Sequence, residues 1–211
     1  MSELTYTLIA DGSSDDALLP ILSWLLVHHT LHEAIQEQWA DLRHLPARPS
    51  GLTERIRMAV QLYPCDLLFV HRDAEREPPS HRVDEIRLAA AQVVAAPPHV
   101  CVVPVRMTEA WCLFDEPAIR RAAGNPNGQM PLALPTLQQV EGLPNPKETL
   151  RGVLREASGL RGRRLKDFHG SPRRVTALTD DFSPLRALPA FQALERDLQQ
   201  FLADRLPGGP S

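Results

Sequence analysis

Leu4–Ala10 (LTYTLIA) is a short run rich in β-branched and aromatic residues that stops at Asp11-Gly12, and it reads as a buried strand. Ser13 and Ser14 then offer an N-cap, with Asp15 and Asp16 in the first turn, where acidic side chains favour a helix. Leu18, Leu19, Ile21, Leu22, Leu25 and Leu26 carry that helix to about Thr30. Strand, glycine turn and helix are the opening of an α/β unit.

The pattern recurs. A weak strand candidate covers 39–45, and Thr53–Tyr63 fits a helix with Ile56, Val60 and Tyr63 on one face. Asp66–His71 (DLLFVH) is the kind of apolar run found in a central parallel strand, whose two faces are both covered. Pro78-Pro79-Ser80 breaks the chain and caps a helix over roughly 81–95. His99–Val105 (HVCVVPV) is a further strand, interrupted by Pro104, and Thr108 caps a helix carrying Glu109, Trp111 and Leu113. After about residue 124 the alternation stops: Asn125–Pro146 is loop-rich, helices follow at 147–157 and 190–205, and the tail 206–211 is expected to be disordered. The expected fold is α/β, a mostly parallel sheet flanked by helices over 1–124, with 125–205 as a helical, basic C-terminal part of the same domain.

Composition narrows the class. At 211 residues the length suits one domain, and 43 % apolar with 23 % charged residues supplies a core. No apolar run approaches the ~20 residues of a membrane span, and no basic start precedes an apolar stretch as in a signal peptide. Cys65, Cys101 and Cys112 lack any CxxC spacing, which argues against a disulfide framework or zinc knuckle. The expected setting is cytoplasmic. Charge is unevenly placed: the chain is −3 overall, yet 147–174 holds nine Lys/Arg against three acids, leaving −9 on the remainder.

The acids fall where an α/β sheet binds ligands, beyond the carboxyl ends of its strands. Asp11 follows the first strand, Asp73 and Glu75 follow DLLFVH, and Glu109 lies just past HVCVVPV. If these strands are adjacent and parallel, the carboxylates converge and repel unless a proton or cation neutralises them. Mg²⁺ suits such oxygen donors, and on an extended segment Asp73 and Glu75 would point the same way.

Three segments, L-I-A-D-G-S-S-D-D (8–16), F-V-H-R-D-A-E (69–75) and R-M-T-E-A-W-C-L-F-D (106–115), resemble a bacterial family known as domain of unknown function 4276. N-P-K-E (145–148), L-K-D-F (165–168) and P-A-F-Q-A-L (189–194) resemble its C-terminal half, so the likeness spans most of the chain. That family is similar to TOPRIM domains, the metal-binding folds of topoisomerases, primases and certain nucleases. The resemblance implies Mg²⁺- or Mn²⁺-dependent chemistry on DNA or RNA, in phage defence beside an ATPase partner. It puts Asp11 at the TOPRIM glutamate, Asp73 and Glu75 on the D-x-D, and Glu109 on the acid of the E-A-W segment. Two departures stand out: Asp11 is one methylene shorter than glutamate, and Glu75 one longer than aspartate.

The mechanism that the resemblance implies is phosphodiester cleavage or transfer. Asp73 and Glu75 hold the metal, Asp11 completes its shell or acts as acid–base, and Glu109 binds a second ion or orients a basic residue. Lys147, Arg161, Arg163, Arg164 and Lys166 hold the nucleic-acid backbone, giving salt-dependent affinity without sequence readout. Two rivals remain: a non-catalytic partner or sensor subunit of an ATPase, and metal-dependent chemistry on a nucleotide or other small phosphate. His71-Arg72-Asp73 has the letters of the kinase H-R-D loop, but Pro78 stands where its asparagine belongs. His28 and His32 share a helix face without the glutamate of H-E-x-x-H, and Trp24 and Trp111 read as core.

Overall fold

Alternation of period two in the first strand decides the layering. In the computed structural model, which describes residues 3–12, 14–30, 34–47 and 49–205, β1 (Glu3–Ile9) sends Leu4, Tyr6 and Leu8 to one face and Ile9 to the other. Strand β3 (Leu67–His71) divides in the same way, with Leu67 and Phe69 against Leu68 and Val70. So does β4 (His99–Val102), with Val100 and Val102 against Cys101. All five residues of β3 are buried, as a strand with neighbours on both edges and helices on both faces should be.

The sheet has four strands in the order β2-β1-β3-β4, all parallel. Strand β2 (Ala34–Trp39) lies earlier than the expected 39–45. It is an edge strand with a mostly exposed polar pattern, and its register on β1, from Glu3↔Ala34 to Leu8↔Trp39, defines it where hydrophobicity does not. Helix α1 (Leu18–His29) covers one face of the sheet, preceded by a 3-10 turn at Asp15–Ala17, and α2 (Gly51–Leu62) and α3 (Pro79–Ala91) cover the other. The connections leaving β1 and β3 therefore diverge to opposite faces, opening a crevice between their carboxyl ends.

The segment expected to cap a helix at Thr108 is instead a 3-10 turn, Thr108–Cys112, entered from Met107. Thr108 is not free to cap because its hydroxyl lies 3.2 Å from His71 Nε2. The C-terminal part contains α4 (Glu116–Ala122), α5 (Leu137–Val140), α6 (Pro146–Ala157), α7 (Gly162–Lys166), α8 (Pro172–Ala177) and α9 (Pro189–Arg205). It shares the α1 side of the core: Leu150, Leu154, Phe182, Phe191 and Leu198 pack in one cluster with Leu8, Leu22 and Trp111. Trp111 meets Phe191 edge to face at 5.5 Å, which fastens the 3-10 turn to α9. Arg173 reaches back to the Asp16 carbonyl at 3.0 Å and to Glu37 at 3.3 Å. The tail 206–211 lies outside the described residues, as do Ser13 and His32. Among the described residues no helix is long and apolar enough to cross a membrane.

Candidate functional site

Parallel pairing brings the ends of β1, β3 and β4 side by side, and each sequence-selected acid sits on this one edge. Their surroundings differ sharply. Asp11 is exposed, and its carboxylate oxygens are engaged by two guanidiniums, Arg55 from α2 and Arg72 at 2.6 Å. Arg72 continues to Glu85 at 3.1 Å, and Glu85 to Arg82 at 2.8 Å. Asp11 is thus one member of an ion-pair chain that ties β1 and β3 to α2 and α3.

Asp73 and Glu75 do not face the same way. Glu75 has φ 54°, in the left-handed region, so the extended alternation stops past His71. Its side chain is 69 % exposed and 3.9 Å from Arg82. Asp73 turns inward, with Oδ1 3.1 Å from His71 Nε2.

His71 and Asp15 were not among the sequence candidates. His71 is the last residue of β3 and lies on the face of Leu67 and Phe69, where it is fully buried. Asp15 is also buried, held by the Gly12 N–H donating to its Oδ2 at 2.7 Å, and that oxygen lies 3.4 Å from His71 Nδ1. The contact is longer and less well aligned than the one to Asp73. Burial would push the imidazole pKa down, but Asp15 and Asp73 outweigh it and hold it up at about 9. Burial likewise opposes ionisation of Asp15, yet His71 keeps its carboxyl below the ordinary value. An imidazolium bracketed by two carboxylates thus fixes Asp15 and Asp73. A polar last residue in an otherwise apolar strand, and a second aspartate in the same glycine turn, are the signals for this pair.

Glu109 differs from the other acids. Its position in the 3-10 turn leaves it 4 % exposed, with no side chain of the described residues bonded to its carboxyl. Burial raises its pKa, its own backbone N–H and the Lys147 charge oppose that rise, and the charges on Asp73 and Asp15 add to it. The carboxyl lines a cavity of about 300 Å³ together with Ser14, Lys147, Arg151 and Phe168. Lys147 and Arg151, one turn apart on α6, bring the basic segment against the acidic edge of the sheet. The remaining basic candidates, Arg161, Arg163, Arg164 and Lys166, are exposed on and beside α7 and make no ion pair among the described residues. A larger cavity of about 520 Å³ lies at the opposite, amino ends of β3 and β4, near Asp66, His99 and Phe201, away from this edge.

Among the described residues no three or more His, Cys, Asp or Glu side chains form a ready-made metal cluster. Mg²⁺ usually takes only one or two carboxylates and completes its shell with water and substrate phosphate. Asp73 and Glu109, mutually repelling oxygen donors at one edge, suit that smaller demand. In comparisons with known proteins the chain matches no family model, no curated protein and no solved structure.

Proposed function

We propose that the protein is a TOPRIM-like, Mg²⁺- or Mn²⁺-dependent enzyme of phosphoryl transfer that cleaves nucleic acid. One observation carries this reading: the buried residue Glu109, whose carboxyl bonds no side chain among the described residues, shares a cavity with two cations of the basic segment, Lys147 and Arg151. A carboxylate able to hold a proton or cation, facing groups able to hold a phosphate, is what phosphodiester chemistry requires.

Asp73 and Glu109 would hold the metal, which when bound would polarise the phosphate and acidify a water. Lys147 and Arg151 neutralise the phosphate and set its position against Glu109. Glu109, its pKa raised chiefly by burial, gives up its proton on taking the metal, which couples metal binding to pH. Asp15 and His71 are positioning residues that lock Asp73. Asp11 serves to hold Arg55 and Arg72. The exposed Arg161, Arg163, Arg164 and Lys166 add sequence-independent attraction for the strand.

Cleavage of labelled single-stranded and duplex DNA and RNA, with and without Mg²⁺ or Mn²⁺, tests the reading. Wild type should cut in metal, and Glu109→Gln, which removes a metal-holding carboxylate, should lose roughly 10²-fold or more, the scale of several kcal/mol of metal stabilisation. Equal behaviour of the two proteins would refute it.

A second reading is favoured by Asp11. Its carboxylate, at the position the resemblance gives to the TOPRIM glutamate, is consumed by two arginines. A non-catalytic partner or sensor subunit of an ATPase would tolerate that loss. On this reading nucleic acid is bound but never cut.

A further inference from the structure

The cavity beside Glu109 is lined by two chemically different sets of side chains. Helix α6 lines it with Lys147, Leu150, Arg151 and Leu154, spaced i, i+3, i+4 and i+7 along one face. Among the described residues Lys147 makes no ion pair, Arg151 makes only a 3.9 Å contact with Glu148, and the Ser14 hydroxyl caps no helix. Leu150 and Leu154 are buried and apolar, and the half-buried ring of Phe168 packs on the core while lining the same space. Gly170 lets the wall close tightly: a Cβ there would lie 2.7 Å from Leu154 Cδ1. Two cations and a hydroxyl, together with an aromatic and aliphatic wall, line one space and fit an anionic head on a flat apolar body.

Resting on the phosphoryl-transfer reading, we infer that this cavity is a pocket for a single nucleotide. Lys147 and Arg151 take its phosphate, Ser14 bonds its sugar or phosphate oxygen, and Phe168 with Leu150 and Leu154 takes the base. At about 300 Å³ the space is at the small end of ligand pockets, roughly 300–1,000 Å³. It accepts one unit and excludes a stacked duplex. The substrate class is therefore a strand end or an unstacked nucleotide, since a base inside a helix cannot enter such a pocket without being extruded.

The test is calorimetric titration of the full chain, without added metal, with adenosine 5′-monophosphate, ribose 5-phosphate, adenosine and butyl phosphate. Adenosine 5′-monophosphate should bind tightest, with both the base and the phosphate contributing. Phe168→Ala should weaken it roughly 5- to 100-fold, the range of base–aromatic stacking, and leave ribose 5-phosphate unchanged. Phe168→Leu, which keeps apolar volume, should show the same loss and guards against a folding defect in the alanine variant. Lys147→Ala should weaken every phosphate-bearing probe and spare adenosine. Equal affinity for ribose 5-phosphate or butyl phosphate overturns the base pocket, and so does the absence of binding by any probe. Nucleotide binding that survives in a protein unable to cleave nucleic acid supports the pocket and counts against catalysis alone.

Discussion

His71 and Asp15 meet inside the protein, with imidazole Nδ1 3.4 Å from carboxylate Oδ2, and so join the end of β3 to the turn that follows β1. The other imidazole nitrogen holds Asp73 at 3.1 Å. These contacts preset one wall of the proposed site before any ligand arrives, and they make stability depend on pH.

The direction follows from the two shifts. His71 is raised from 6.5 to about 9, so its contribution is complete below pH 6.5 and is lost as pH rises through 9. Asp15 is lowered, so its contribution is present above its ordinary value of 3.8 and disappears as pH falls through the lowered one. Urea unfolding of the metal-free protein should show stability falling on the order of 3 kcal/mol between pH 6.5 and 9. In His71→Gln that alkaline slope should be absent.

Glu109 should display a trade of stability for activity. Its carboxyl is buried near Asp73 and Asp15, so ionisation is costly and its pKa is raised. A carboxyl whose folded pKa lies above the unfolded one stabilises at low pH and loses that contribution as pH rises through the raised value. Glu109→Gln should therefore melt higher than wild type in metal-free buffer at neutral pH, while cleaving roughly 10²-fold or more slower. A lower melting temperature would mean that the charged form is needed for folding.

The exposed cations should act on affinity alone. Replacing Arg161, Arg163, Arg164 and Lys166 with alanine removes four charges that make no ion pair among the described residues, so thermal stability should stay within about 0.5 kcal/mol of wild type. Binding to single-stranded oligonucleotide should weaken, and the slope of log K against log salt should become shallower by up to roughly 3. An unchanged slope would assign the strand to another surface.

Trp111 links the turn that carries Glu109 to the C-terminal helices. It is fully buried and packs edge to face on Phe191, in the same 3-10 turn as Glu109. Trp111→Ala should cost about 3–5 kcal/mol, measurable by denaturant unfolding. Trp111→Phe should recover much of it and restore activity together with stability.

The strands that form the middle of the sheet were legible because burial on both faces writes them as apolar runs: Leu4–Ala10, Asp66–His71 and His99–Val105 overlap β1, β3 and β4. Strand β2 was not, since Gln36, Glu37 and Gln38 carry an edge strand's polar pattern and only the pairing with β1 makes it a strand. The order of acids along the chain correctly led to one sheet edge. Which acid turns inward was not legible, because Asp11 and Asp15 share one glycine turn and the 3-10 geometry of Asp15–Ala17 buries the second. The excess positive charge of 147–174 was visible, but the sequence could not single out Lys147 and Arg151 as the cations beside Glu109. That choice depends on α6 packing against the Thr108–Cys112 turn, a contact between distant segments.

The most direct measurement is a thermal melt across a Mg²⁺ or Mn²⁺ titration, with wild type beside Asp73→Ala, Glu109→Gln and Asp11→Asn. At tenfold over Kd, mass action stabilises by about 1.4 kcal/mol, roughly 3–6 °C for a chain of this size. Wild type and Asp11→Asn should show that rise, and Asp73→Ala and Glu109→Gln should not. No rise in wild type at 10 mM metal (about tenfold over a millimolar Kd), or a rise that survives both Asp73→Ala and Glu109→Gln, would contradict a metal site at this edge and leave the partner-subunit reading in its place.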